Sequence, residues 1–193
     1  MGARLLSNLP AELTDGNLRL DALTPDTPVE PLFAALDERV WEHVPGGRPT
    51  DSGELRARLV RKLLADPPCR TWLVLLDGEV VGTTSHFADP VDPVVLEIGA
   101  TYMAPATWGT GLNARVKALM ISAAASAGAA RLAFQTDERN ERSARAIRKL
   151  GARPVGSRLE AVLRPDGTPR TSLLFQLDLE GASAHFRSPA PGT

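Results

Sequence analysis

VVLEIGATYMAPATWGTGLNARVKALMISAAASAG, residues 94–128, sets a strand-like stretch against a helix-like one, with a short glycine-containing turn between them. In VVLEIGATYM (94–103), Leu96 and Ile98 alternate with Glu97, the two-residue period of a strand. Further on, Leu112, Val116, Leu119, Met120 and Ala123 recur at helical spacing. The join, WGTGLN (108–113), admits two readings. It is a plain turn, since glycine punctuates loops. Or it is an anion seat, since backbone N–H groups at a helix start converge on one point where the helix dipole also favours negative charge. The common nucleotide motifs do not fit. Lys117 lies six residues beyond Gly111 with no Gly-Lys-Ser/Thr triplet. The G-x-G pair lacks a third glycine, and no strand-end acid follows at about 20 residues. A nucleoside triphosphate and a dinucleotide are therefore disfavoured.

Toward the N-terminus, NLRLDAL (17–23) alternates as a first strand, and a short helical run around Leu32, Phe33, Leu36 and Val40 ends at PGGRPT (45–50). Thr50 or Asp51 caps a helix over SGELRARLVRKLLAD (52–66), with Glu54 at capping-box spacing from Asp51, and Pro67-Pro68 stops it. RTWLVLL (70–76) and EVVGTTSHF (79–87) flank Asp77-Gly78, a strong hairpin signal, and Pro90 and Pro93 mark the turn before residue 94. Toward the C-terminus, RLAFQTD (131–137) reads as a strand and NERSARAIRKLG (140–151) as a helix capped by Asn140 and ended by Gly151. GSRLEAVLR (156–164) and RTSLLFQLDLE (170–180) form a closing hairpin around PDGTP (165–169). The order is strand, two helices, three meandering strands, helix, strand, helix, hairpin. That order predicts an α+β fold with a mixed, mostly antiparallel sheet flanked by helices.

The 193 residues are the size of one domain, expected over residues 1–180, and are enough to bury a core without disulfides or metals. The tail GASAHFRSPAPGT (181–193) is small, polar and Pro-rich, and is expected to be disordered. Lys+Arg number 22 against 23 Asp+Glu, which leaves no electrostatic footprint for nucleic acid; the basic run Arg139–Lys149 is interrupted by an acid. Cys69 is alone, so there is no disulfide framework and a reducing, cytoplasmic setting is the default. No run approaches the roughly 20 apolar residues of a membrane span, and the N-terminus lacks a signal-peptide core. One Cys and three scattered His give no metal-ligand spacing.

The landmarks E-I-G (97–99), W-G-T-G-x-N (108–113), a helix with Lys117, R-x-x-F-x-x-D (131–137) and N-x-x-S-x-x-A-I-x-x-L-G-A (140–152) occur in order. In this the chain resembles the GNAT acetyltransferase superfamily, specifically its RimJ/RimL-type branch of ribosomal-protein N-terminal acetyltransferases. The match is strong over 94–152 and loose elsewhere. The resemblance implies the GNAT fold and a site for acetyl-CoA. Its pyrophosphate would rest, after Trp108, on the backbone amides of Gly109, Thr110, Gly111, Leu112 and Asn113. The pantetheine would run along strand 96–102, in a V-shaped opening toward strand 131–137. Ala100, Thr101 and Tyr102 would contact the cofactor, with a backbone N–H around Ala100 or Thr101 polarising the thioester carbonyl. Ala106 stands where a Gln or Arg often begins the motif.

Asn140 and Ser143 read, from spacing alone, as an N-cap and a first-turn serine. The resemblance instead places Asn140 on the cofactor and Ser143 near its sulfur. Ile147 occupies the position of a tyrosine that protonates the thiolate in many members, which leaves Ser143 to hydrogen-bond that thiolate directly or through a water. Glu97, beside the implied thioester, is the candidate to take the amine proton through water. Its other reading is an exposed strand residue, and His43 and His86 are alternative bases. Trp41, His43 and Trp72 either line the acceptor cleft or belong to the core.

The expected function is acetyl transfer from acetyl-CoA to a primary amine, a protein N-terminus or a small molecule, by direct transfer in a ternary complex. Cys69, expected in a loop before a strand, is not placed as an acyl carrier. Val155, Leu159 and Thr171 depart from the branch pattern in the closing hairpin, which shapes the acceptor side. The alternatives are a different acyl-CoA, such as succinyl-CoA, or a non-catalytic CoA-sensing module. The resemblance also makes a homodimer an expectation.

Overall fold

The computed structural model describes residues 2–179. Its eight strands form one mixed sheet. They are β1 (Glu12–Asp15), β2 (Leu18–Ala22), β3 (Cys69–Leu76), β4 (Glu79–Ala88), β5 (Val95–Met103), β6 (Arg131–Asp137), β7 (Arg153–Leu163) and β8 (Pro169–Asp178). The spatial order is β1-β2-β3-β4-β5-β6-β8-β7. Every neighbouring pair is antiparallel except β5 and β6. The helices are α1 (Gly2–Ser7), α2 (Glu30–Ala35), α3 (Ser52–Leu63), α4 (Leu112–Ser126) and α5 (Glu141–Lys149). This is the α+β architecture the sequence predicts, with α1 and β1 added at the start.

Both faces of β3 are covered, which is why it reads as an unbroken apolar run rather than an alternation. On one face Leu18, Leu20, Trp72, Val74, Leu96, Ile98, Leu132, Phe134 and Phe175 pack with α1, α4 and α5. On the other, Leu73 and Leu75 pack with Leu32, Trp41, Leu55 and Leu59 from α2, α3 and the short 3-10 turn Glu38–Trp41. Asp51 caps α3 by accepting from Glu54 N at 2.8 Å, while Glu54 Oε2 reaches back to Thr50 N at 2.7 Å, one residue earlier than an ideal capping box. Asp77 and Gly78, with φ of 52° and 85°, make the β3–β4 hairpin turn.

Two local features shape the middle of the sheet. β5 and β6 pair only from Val95 to Glu97 against Arg131 to Ala133, although both strands run on. A seam therefore opens between them just beyond Glu97. In the same stretch β5 bulges against β4. The register passes from Ser85↔Gly99 to Thr83↔Tyr102, so Ala100 and Thr101 together face the single residue Thr84. Ala100 adopts φ +47°, a conformation uncommon for a residue with a Cβ and one that costs about 1 kcal/mol.

Candidate active site

At the start of α4 the chain forms an open amide cradle. Gly109 and Gly111 have φ of 78° and 88°, and a Cβ on either would meet nothing within 4 Å. Glycine is needed at both for its backbone conformation rather than for space. Side chains brace the turn from behind. Trp108 Nε1 donates to Met103 O at 2.9 Å, Thr107 Oγ1 to Ala104 O at 2.8 Å and Thr110 Oγ1 to Thr107 O at 2.8 Å. Thr110 N points to Thr107 O at 3.4 Å and Leu112 N to Thr110 Oγ1 at 3.3 Å, so these two amides are partly spent. Among the described residues nothing accepts from the N–H groups of Gly109, Gly111 or Asn113. The buried Asn113 Oδ1 also has no partner. Three free amides at the positive end of a 15-residue helix, with no side-chain cap, fit a phosphate group.

The seam leads from this cradle to Glu97. The Glu97 carboxylate lies back over Gly99, where an added Cβ would stand 2.9 Å from Oε1. The E-I-G glycine thus makes room for the acid two residues before it. Gln135 Nε2, on β6, donates to Glu97 Oε1 at 2.9 Å, and Arg158 Nη2, on β7, donates to Gln135 Oε1 at 3.0 Å. Arg158 also pairs with Glu160 at 3.1 Å. Burial pushes the Glu97 carboxyl above its ordinary range, helped slightly by the negative charges of Asp89 and Glu160. The Gln135 hydrogen bond and the Arg158 charge pull the other way. A half-buried carboxylate whose pKa is pushed up beside an open seam is suited to take a proton.

The segment 38–43 crosses the sheet on the Glu97 side. Trp41 packs against Tyr102 with ring centroids 5.1 Å apart, and its Nε1 is buried without a partner. The His43 carbonyl accepts from Arg170 Nη1 at 3.4 Å, and burial lowers the pKa of Arg142, an effect the nearby Glu42 charge partly offsets. Arg142, in the first turn of α5, stacks 3.5 Å from the centroid of the Trp108 ring. That contact ties the start of α4 to the start of α5 across the seam. Trp41 and Tyr102 thus meet on that face, while Arg39 of the same segment lies 5.8 Å from the Trp108 ring centroid.

Trp72 is not on that face. It is 0% exposed, on the α4 side of the sheet, and its Nε1 donates to His86 Nδ1 at 3.0 Å. A strand places alternate side chains on opposite faces, so the even parity of Trp72 with Val74 puts it in the core rather than in a cleft. His86 is also fully buried, with Nε2 at 3.2 Å from Met120 O, and desolvation pushes its pKa down to about 3. A neutral, enclosed imidazole with both nitrogens engaged cannot serve as the alternative base. Cys69 is the first residue of β3, not part of the loop before it, and its Sγ is directed to Lys62 O at 3.3 Å.

Residues 17–153 match the Acetyltransferase (GNAT) domain family. The chain belongs to the GNAT acetyltransferases. Solved structures agree. An acetyltransferase-type structure from T. thermophilus is 28% identical, with TM-score 0.76 over 92% of this chain and 95% of that one. A GCN5-related N-acetyltransferase from Brucella melitensis is 22% identical, with TM-score 0.77 over 92% and 84%. RimL, the ribosomal L7/L12 α-N-protein acetyltransferase solved in complex with coenzyme A, is 16% identical, with TM-score 0.72 over 88% and 97%, and shares the fold. No curated protein sequence matches. The protein is an acyl-CoA-dependent N-acetyltransferase of the GNAT fold.

Within this GNAT domain, Asn140 acts as a helix cap: its Oδ1 accepts from Ser143 N at 3.0 Å. The Ser143 hydroxyl is half-buried and has no hydrogen-bond partner among the described residues. Ile147 faces the core with Ala144, so that position presents no polar group. Sequence reading missed Gln135, Arg158, Arg142 and Arg170. For Gln135 a signal existed: in RLAFQTD it sits on the face opposite Leu132 and Phe134, the same face as Glu97 in the neighbouring parallel strand. Among the described residues no cluster of metal-ligating side chains occurs, and no helix is long and apolar enough to cross a membrane.

Proposed function

We propose that this protein transfers an acetyl group from acetyl-CoA directly to an amine within a ternary complex, with Glu97 taking the proton that the amine must lose. One observation carries the reading: the seam between β5 and β6 opens at Glu97, whose carboxylate is propped over Gly99, and continues to the free amides of Gly109, Gly111 and Asn113. The amides would hold the CoA pyrophosphate, and the unpaired stretch of β5 would bind the pantetheine as an added strand binds a sheet edge. A backbone N–H around Ala100 or Thr101, in the stretch of β5 that has no β6 partner, would polarise the acyl carbonyl where negative charge develops.

The amine nitrogen forms the new C–N bond as the C–S bond breaks. Its proton passes to Glu97 through water. The departing thiolate takes a hydrogen bond from Ser143, which is a weak acid at neutral pH and acts by charge stabilisation. The preferred acceptor is the α-amine of a protein N-terminus, the group RimL modifies. Such an amine has a pKa of about 7.7–8.0 against about 10.4 for lysine, so a carboxylate base can work on a substantial neutral fraction. That preference aligns the chain with the RimJ/RimL-type branch.

The experiment is an initial-rate study with acetyl-CoA and peptides bearing free N-termini. Intersecting reciprocal plots are expected. Parallel plots would indicate an acyl-enzyme and contradict direct transfer, and faster turnover with succinyl-CoA would reassign the acyl donor.

A further inference from the structure

Lys117 lies in the second turn of α4 with 6% of its surface exposed, and it faces the sheet rather than solvent. Its Nζ donates to Thr101 Oγ1 at 2.6 Å and to Thr84 Oγ1 at 3.1 Å, and those hydroxyls are 2.8 Å from each other. The two threonines stand on opposite sides of the β5 bulge, where Thr84 of β4 alone faces Ala100 and Thr101 of β5. One amine therefore clamps both halves of the irregularity. No carboxylate accompanies it among the described residues; its polar surroundings are the two hydroxyls, the Met120 sulfur bonded to Thr84 at 3.3 Å, and the neutral His86 ring beyond. Desolvation alone pushes its pKa down to about 7. An apolar side chain of the same length would fill this space without the penalty of burying an amine.

The bulge has little else to hold it. Ala100 sits at φ +47°, and beyond Glu97 no β6 partner holds β5 from its other side. We propose that Lys117 is a positioning residue: through Thr101 and Thr84 it fixes the β5 bulge, and so aims a backbone N–H of that stretch at the acyl carbonyl, letting the site distinguish acyl-CoA from free CoA. This rests on the CoA reading above. The cradle amides and the rest of the unpaired β5 stretch bind what the two ligands share. The bulge amides bind only what acetyl-CoA adds.

The test is calorimetric binding of acetyl-CoA and of CoA to the wild type and to Lys117→Met, Thr101→Val and Thr101→Ser. The wild type should favour acetyl-CoA by about fivefold, the worth of one well-aimed hydrogen bond. Lys117→Met and Thr101→Val should bring that ratio near one while CoA itself binds within about twofold of wild type; Thr101→Ser, which keeps the hydroxyl, should retain the preference. CoA binding doubles as the folding control for each variant, and Thr101→Val carries the test if Lys117→Met does not fold. A wild type that binds both ligands equally, or variants that keep the wild-type ratio, would overturn the role given to Lys117 and leave the CoA site standing. A wild type that binds neither would remove the CoA reading and this inference together.

Discussion

The carboxylate of Glu97 fills the space that a side chain on Gly99 would need, with Oε1 2.9 Å from the position of an added Cβ. Phe87 closes the other side at 3.4 Å, so Gly99 is the gap through which the acid turns toward the seam. Gly99→Ala should displace the carboxylate rather than unfold the sheet. Turnover should fall by about tenfold, part of the 10²–10⁴ commonly supplied by a positioned base, with CoA affinity unchanged. Steady-state kinetics beside CoA calorimetry would check it; an unaltered kcat would show that the orientation of Glu97 is immaterial.

Because burial raises the Glu97 pKa, the acid limb of kcat/KM should lie above the ordinary carboxylate range, with activity lost as pH falls through it. The Gln135 hydrogen bond and the Arg158 charge both oppose the rise. Gln135→Leu and Arg158→Met should each move the limb to higher pH, so that at slightly acidic pH the variants lose more activity than the wild type. A limb that stays in place in both variants would mean that another group controls it.

Gly111 holds φ +88° with open space where its side chain would be. Gly111→Ala should cost about 1 kcal/mol of stability from backbone strain alone. Gly167→Ala, in the β7–β8 turn at φ +77°, should cost a similar amount. Only Gly111→Ala should weaken CoA binding, by tenfold or more, because it turns the amides of the cradle. Thermal melts paired with CoA titrations would separate the two effects, and equal CoA affinity in both variants would place the phosphate elsewhere.

Trp41 and Trp72 differ in role although both are buried. Trp72→Phe removes the donor to His86 Nδ1 and should cost about 1–3 kcal/mol with KM for the amine unchanged. Trp41→Leu, which strips the ring from beside Tyr102, should raise KM for the peptide acceptor severalfold. The reverse pattern would move the acceptor to the other face of the sheet.

The middle of the fold was legible because its signals are local. Leu96 and Ile98 alternate, Val116 and Met120 repeat at helical spacing, Asn140 caps and Gly151 ends α5, and Asp77-Gly78 turns a hairpin. β1, only four residues long and almost wholly solvent-facing, carries no apolar period, and α1, six residues long, is held by packing Leu5 and Leu6 into the core, with Asn8 just after it donating Nδ2 to Ala127 O at 3.1 Å. The expected disordered tail, 181–193, lies outside the described residues. At the site, the glycines of the turn are visible in sequence because they obey backbone rules. Glu97 meeting Gln135 is not, since the contact depends on the register of two distant strands that part immediately afterward. Trp72 and Trp41 could not be told apart by residue type: strand parity buries Trp72 beneath α4, whereas Trp41 ends a 3-10 turn on the other face of the sheet, a position that only the tertiary fold sets.

If Glu97 is the base of an acyl-CoA site, the most direct measurement is release of CoA thiol from acetyl-CoA in the presence of peptides with free N-termini, by the wild type and by Glu97→Gln. Amine-dependent release by the wild type is expected, with kcat reduced about 10²-fold in Glu97→Gln and CoA affinity preserved. Equal rates for the two proteins, or no amine-dependent release while CoA still binds, would contradict it.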